Sequence, residues 1–344
     1  MATLASVFIK LTGFPFVYLK NHYVPSLAQI GRAATGNVCK ELTSLTKPGP
    51  SAPMIRKPHI DLIGAVALTA FALNLALNQV VVKVSNGGFQ PVFMAALRSV
   101  GAGVVLVIWM RARGIPLRLP RASVPGGVLA GILFAVEFLL LFNALDLTTV
   151  SRASILFYAM PIWLALASHV LLPGERLSAM RLAGMALAMG GVVLAVADRG
   201  SGQGNLLGDL FALAAGMCWA GIALCVRVTP LSDVPAAQQL VWQVLISAPL
   251  LLVASLFFGD LIRDLEPVHI VGLIYQILAI ASFGFLFWFW LLKIYPASGV
   301  ASFSFLSPVF SVLLGWLILG EQIGLSIWVA LALVAAGLVL INRR

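Results

Sequence analysis

Two charged residues, Arg98 and Glu137, stand inside long apolar runs of the chain. An ionisable side chain at the centre of a lipid-spanning helix costs about 2.5–3.5 kcal/mol on insertion scales, so each needs a reason to be there. Arg98 lies seven residues into its run, and Glu137 lies eight residues from the end of its own. At 1.5 Å of rise per residue these positions are roughly 10 and 12 Å deep from the same face. They carry opposite charges at one level. Asn74 reaches a comparable depth on the preceding run, and Asn78 follows one turn later. This set can form a polar pocket between helices. There the planar fork of Arg98 would meet a carboxylate or phosphate, and Glu137 would meet an amine or carry a coupling proton. It can equally be a buried ion pair that fixes helix register and never touches a ligand.

The elements that must position these residues follow from composition. The chain has 344 residues, 61% hydrophobic and 10% charged. That is far below the roughly one quarter charged of soluble domains. The apolar residues come in continuous runs of about 20, the length that crosses a hydrocarbon core of roughly 30 Å. Continuous runs favour helices over a barrel, whose strands would alternate. The sequence predicts an all-α polytopic membrane protein with ten spans, near 61–82, 91–110, 124–145, 150–172, 179–197, 206–228, 236–258, 269–292, 297–319 and 325–342. Pro and Gly mark the breaks.

Residues 144–178 and 291–324 read as copies. Pro161 falls on Pro308, Ser151 on Ser298, and Gly174-Glu175 on Gly320-Glu321 after a one-residue gap. The Gly-rich run 200–204 is read as a linker between a first five-helix repeat, 58–199, and a second, 205–344. An odd number of spans per repeat inserts the second copy upside down, the inverted-repeat plan of many secondary transporters. Charge gives the orientation. Twelve Lys/Arg (Arg56, Lys57, Arg111, Arg113, Arg118, Arg121, Arg176, Arg181, Arg227, Lys293, Arg343, Arg344) fall on one side and four (Lys83, Arg152, Arg199, Arg263) on the other. This bias predicts both termini in the cytoplasm. It also explains the net charge of +10 without nucleic acid. Residues 1–57, with seven Lys/Arg and Glu41 alone as acid, are expected to be a dispensable extension or an over-long start ahead of Met54, the competing reading being an interfacial segment over 4–24.

Several motifs resemble those of the drug/metabolite transporter superfamily, in its ten-helix EamA-type branch. Asn78-Gln-Val-Val-Val-Lys83 resembles its Asn-x-x-x-x-Lys ending of the first span, and Pro91 to Arg98 resembles its Pro…Arg segment. Ala144-Leu145 with Ser151-Arg152-Ala153 resembles its turn between spans 3 and 4, and the two Gly-Glu pairs resemble its most recurrent motif. The family's Trp-Gly before the first Asn is replaced by Leu75-Ala76-Leu77. The resemblance implies a cytoplasmic-membrane carrier of small metabolites, often an exporter, working by alternating access.

Other residues are read alongside. Gln243 is the pocket candidate of the second half, which also offers Trp219, Gln239, Trp242, Tyr275, Gln276, Trp288 and Ser304. Pro161 and Pro308 interrupt spans 4 and 9 and are read as gate or kink positions. Glu175 and Glu321 are read as structural turn residues, since an acid favours a helix N-terminus. Cys39, Cys218 and Cys225 suggest neither disulfide nor metal site. His22, His59, His169 and His269 are scattered, with no HExxH and no Walker sequence, so no cofactor and no catalytic centre is expected. The partners expected are a small-molecule substrate, protons as a candidate coupling ion, and lipid. Gly127-x-x-x-Gly131 would permit close helix contact within one subunit or between two, leaving oligomeric state open. A membrane enzyme acting on lipid-linked substrates and a non-transporting scaffold are the competing readings.

Overall fold

The computed structural model describes residues 59–172, 178–198, 204–295, 300, 303 and 305–342, all within the unit Met54–Arg344. Residues 1–57, the turn holding Glu175, and most of the 200–204 linker lie outside the described residues. The described chain is helical, with one isolated bridge between Phe89 and Ile262. The helices are α1 (Leu62–Ser85), α2 (Pro91–Ala112), α3 (Val124–Leu147), α4 (Val150–Phe157 with Met160–Leu171), α5 (Ala179–Ala197), α6 (Leu206–Val228) and α7 (Ala236–Ser255). They continue as α8 (Pro267–Tyr275, a π segment Gln276–Ser282, then Phe283–Ile294), α9 (Leu306–Leu319) and α10 (Leu325–Asn342). Among the described residues, eight of these, α1 to α8, are long and apolar enough to cross a membrane; α9 and α10 are shorter apolar helices.

The helix starts have local causes. Asp61, Gln90, Thr149, Ser178 and Asn205 each place a side-chain oxygen on an orphan N–H of the first turn. Gly320 ends α9 at φ 64°, a left-handed conformation that a Cβ disfavours. The two prolines lie next to helix starts. Pro161 sits in the first turn of Met160–Leu171, after a break at Tyr158-Ala159, and Pro308 sits in the first turn of α9. Both open a helical segment, where the missing N–H is harmless, rather than interrupt one.

α6 packs on α3 and on both segments of α4, while α1 packs on α8 and α9. α7 packs on α2 and α3, α2 packs on the π segment of α8, and α5 packs on α10. The α5–α10 contact is backbone against backbone. A Cβ at Gly184 would lie 2.8 Å from the Gly337 carbonyl oxygen, and one at Gly191 would lie 2.6 Å from that of Ala330. Gly131 packs against Ile246 of α7, so this member of the Gly-x-x-x-Gly pair serves a contact within the chain.

At the end of the bundle where α1 stops and α4 begins, polar groups are tied together. Lys83 donates to the carbonyls of Asp146 (3.2 Å) and Thr148 (2.9 Å) at the close of α3. Arg263 grips the Asp146 carboxylate at 2.9 and 3.0 Å and donates to the Asn86 carbonyl. Arg152 and Asp209, 1% and 0% exposed, form a buried ion pair, with Thr148 Oγ1 also donating to Asp209 at 2.9 Å. Arg152 donates further to the Asp198 carbonyl at 2.6 Å, stapling the start of α4 to the end of α5. At the opposite end, Gln238 and Trp242 donate to the carbonyls of Pro116 (2.5 Å) and Leu117 (2.8 Å), holding the α2–α3 connection on α7.

Removing one charge of a buried pair strands the other and costs about 3–5 kcal/mol. Asp209→Asn is therefore expected to lower the thermal midpoint of the purified protein more than any neutralisation of the half-exposed Arg263–Asp146 pair. Equal midpoint losses from the two would contradict this ranking.

Candidate functional site

Arg98 and Glu137 are brought together in the interior, 3% and 4% exposed. They attract one another electrostatically but form no ion pair. The register-fixing salt bridge that the sequence allowed at this pair is absent; the ion pair buried in the described residues is Arg152–Asp209. The Arg98 guanidinium lies over the Phe138 ring, 4.0 Å from its centroid, with Phe142 at 5.6 Å. Phe134, Phe138 and Phe142 make an edge-on ladder down α3 at four-residue spacing, so a flat cation has an aromatic bed. Arg98 Nη1 has no hydrogen-bond partner among the described residues. Glu137 also makes no hydrogen bond among the described residues.

Helices packed against those of Arg98 and Glu137 carry further buried polar atoms with no partner among the described residues: Asn78 Oδ1 on α1, and Gln276 Oε1 and Ser282 Oγ in the π segment. Gln276 is 0% exposed, and its Nε2 lies 3.7 Å from Met94 Sδ, one turn before Arg98. Buried donors and acceptors are normally paired. Four helices thus aim unpaired hydrogen-bonding capacity inward, together with one guanidinium and one carboxyl group. Such a set can hold a small polar molecule bearing charge of both signs.

Asn74 is engaged differently. Its Nδ2 donates to the Ala279 carbonyl at 3.1 Å, inside the π segment, and its Oδ1 accepts from the Tyr275 hydroxyl at 2.7 Å. A π turn displaces carbonyls from their usual partners, and Asn74 supplies one back. Gln243 is buried on α7, one turn before Ser247, whose hydroxyl meets that of Ser99 beside Arg98. Gln239 and Trp242 bond loop carbonyls, and Trp288 stacks on Phe71 at 5.0 Å.

Glu321 is 6% exposed and accepts from Val150 N (2.5 Å), Ser151 N (3.0 Å) and Ser151 Oγ (2.5 Å). The acid was expected to favour the helix that follows it. Its carboxylate instead caps α4, about 170 residues away in sequence. Lys83 is within electrostatic reach of the same carboxylate.

Sequence reasoning missed Gln79, Tyr158, Ser307 and Ser311 at this level of the bundle. The one signal for Gln79 was its place beside Asn78; Ser and Tyr in apolar helices give none.

Residues 62–197 and 206–343 each match the EamA-like transporter family. A Bacillus subtilis protein named "Uncharacterized transporter YoaV" is 24% identical over 75% of this chain and 89% of its own length. An Escherichia coli K12 protein named "Probable amino-acid metabolite efflux pump" is 30% identical over 72% of this chain and 84% of its own length. One crystal structure is 24% identical, superposes with a TM-score of 0.58, and covers 80% of this chain and 96% of the other.

Because Asn74 Nδ2 supplies the partner of a π-segment carbonyl, Asn74→Ala strands that part-buried group, at about 1–3 kcal/mol, while the Tyr275 hydroxyl keeps the main-chain carbonyl of residue 74 at 3.1 Å. The variant should lower the thermal midpoint of the purified protein. An unchanged midpoint would show that the π segment does not depend on Asn74.

Proposed function

We propose, from the fact that this chain belongs to the EamA-like transporter family, that it is a secondary carrier exporting small zwitterionic metabolites such as amino acids. It is a multi-pass membrane transporter; the substrate, the direction and the mechanism are the proposal. The observation that carries the substrate class is the Arg98–Glu137 arrangement: two opposite charges, buried together, neither neutralised by an ion pair. Arg98 would take the carboxylate through its free Nη1, and Glu137 would take the ammonium or a coupling proton. Asn78 and Gln276 would bond the remaining polar atoms, with Gln243 adjoining from α7. The relative named as an amino-acid metabolite efflux pump supports both class and direction.

The mechanism we propose is alternating access by two inverted five-helix repeats, 58–199 and 205–344, with both termini cytoplasmic. The packing supports it. α1 packs on α8 and α9 as α6 packs on α3 and α4, and α7 meets α3 as α2 meets α8. These are the pairings that an exchange of the two halves would preserve. Within this scheme the first segment of α4 closes against α9 at the outer end, and the Glu321 cap on Val150 and Ser151 is the fastening between the halves. The α4 break before Pro161, and the first turn of α9 at Pro308, are where each helix would bend.

Flux of radiolabelled neutral amino acids into proteoliposomes tests the pocket. Arg98→Ala should lower it by on the order of tenfold or more, the equivalent of a charged hydrogen bond of about 1.5–3 kcal/mol. Glu137→Gln should lower it as well. Unchanged flux in both variants rejects the assignment. Glu321→Ala should raise the rate at which an impermeant thiol reagent, added to intact cells, modifies a reporter cysteine at Ser154. An unaltered rate would mean that Glu321 fastens nothing.

A further inference from the structure

The interior holds a second concentration of hydrogen-bonding groups, and it is electrically neutral. α4 presents Ser154 and Tyr158 one turn apart, α9 presents Ser307 and Ser311 one turn apart, and α1 presents Gln79. The Tyr158 hydroxyl is within hydrogen-bonding reach of Gln79 and Ser307. Gln79 Oε1, Ser154 Oγ and Ser311 Oγ have no partner among the described residues, although these residues are 2%, 0% and 0% exposed. Burying a polar group unpaired is unfavourable, and apolar residues of the same shape would serve packing better. Three on one helix seam therefore ask for something to bond.

The cluster adjoins the charged pair. The Tyr158 ring meets Trp219 edge-on at 6.0 Å, and Phe157 stacks on the same indole at 5.0 Å. Cys218, the residue before Trp219, is within electrostatic reach of Glu137. Gln79 is the residue after Asn78. An aromatic wall thus leads from the charged groups to the neutral ones.

We infer that Gln79, Ser154 and Ser311 form a second ligand subsite beside Tyr158, which receives a hydroxyl- or amide-bearing end of the substrate. This rests on the proposed function, in which Arg98 and Glu137 hold the charged end. A carboxamide and two hydroxyls each donate and accept, so they complement a neutral group that does both. A methyl in its place leaves them unpaired, and a site built to bond a hydroxyl rejects such an isostere strongly. The subsite is thus a specificity determinant, separate from the residues that secure the zwitterion.

The test is equilibrium binding of four amino acids to the purified full-length protein: L-threonine against its isostere L-valine, and L-glutamine against L-methionine. The wild type should bind the polar member of each pair on the order of tenfold more tightly. Gln79→Leu, Ser154→Ala and Ser311→Ala should each shrink that ratio, provided the variant elutes as the wild type does in size-exclusion chromatography. Arg98→Ala should weaken all four. A wild type that binds without polar preference, or a preference retained in every correctly eluting variant, overturns the subsite while loss of binding in Arg98→Ala upholds the carrier reading. A wild type that binds none of the four overturns both.

Discussion

A helix bundle in lipid has no solvent to satisfy its buried polar groups, so each must find a partner within the protein or within what the protein binds. This chain sorts its polar side chains by that rule. At the end where α4 begins, the charged groups answer one another, Arg152 with Asp209, Arg263 with Asp146, Glu321 with the α4 N-terminus, although Ser85 Oγ and Asn86 Oδ1 stay unpaired there among the described residues. Midway along the bundle the groups on α1, α2, α4, α8 and α9 are left with unused capacity. The first set holds the scaffold together. The second set is where we propose that substrate binds.

The same division appears in the backbone. α4 breaks at Tyr158-Ala159, and α8 loosens into a π segment from Gln276 to Ser282. Both irregularities fall at the depth of the unpaired side chains. Non-helical backbone at membrane depth is tolerated where it faces protein or a cavity rather than lipid. Asn74 shows how the protein accommodates one of them, replacing a lost main-chain partner with a side-chain amide from another helix. Irregularity of this kind lets two helices present side chains at angles that a regular helix would not give.

Much of the scaffold was legible because it is written locally. Apolar runs of membrane length, bounded by Pro and Gly breaks, place eight helices within three residues of where the structure has them. Arg98 and Glu137 were legible because a charge in an apolar run stands out. What escaped was written across distance. Tyr158, Ser307 and Ser311 are unremarked in helices of small and aromatic residues, and only the pairing of α4 with α9 makes them neighbours. The target of Glu321 and the partnership of Arg152 with Asp209 depend on the same long-range packing. The π segment carries no periodic signal. The prolines drew attention to the right region but not to the right residue, since a helix can break ahead of a proline and use it to restart.

Helices α5 and α10 touch through bare main chain at Gly184, Gly191 and Gly337. Each is the last helix of one matched region, 62–197 or 206–343. At these points main chain and short or branched side chains meet with no room for a further methyl, Gly191 lying against Val334 as well as the Ala330 carbonyl. Under the proposed alternating access such a joint would serve as an axle, about which one half would swivel while the opening and closing fell to the far side.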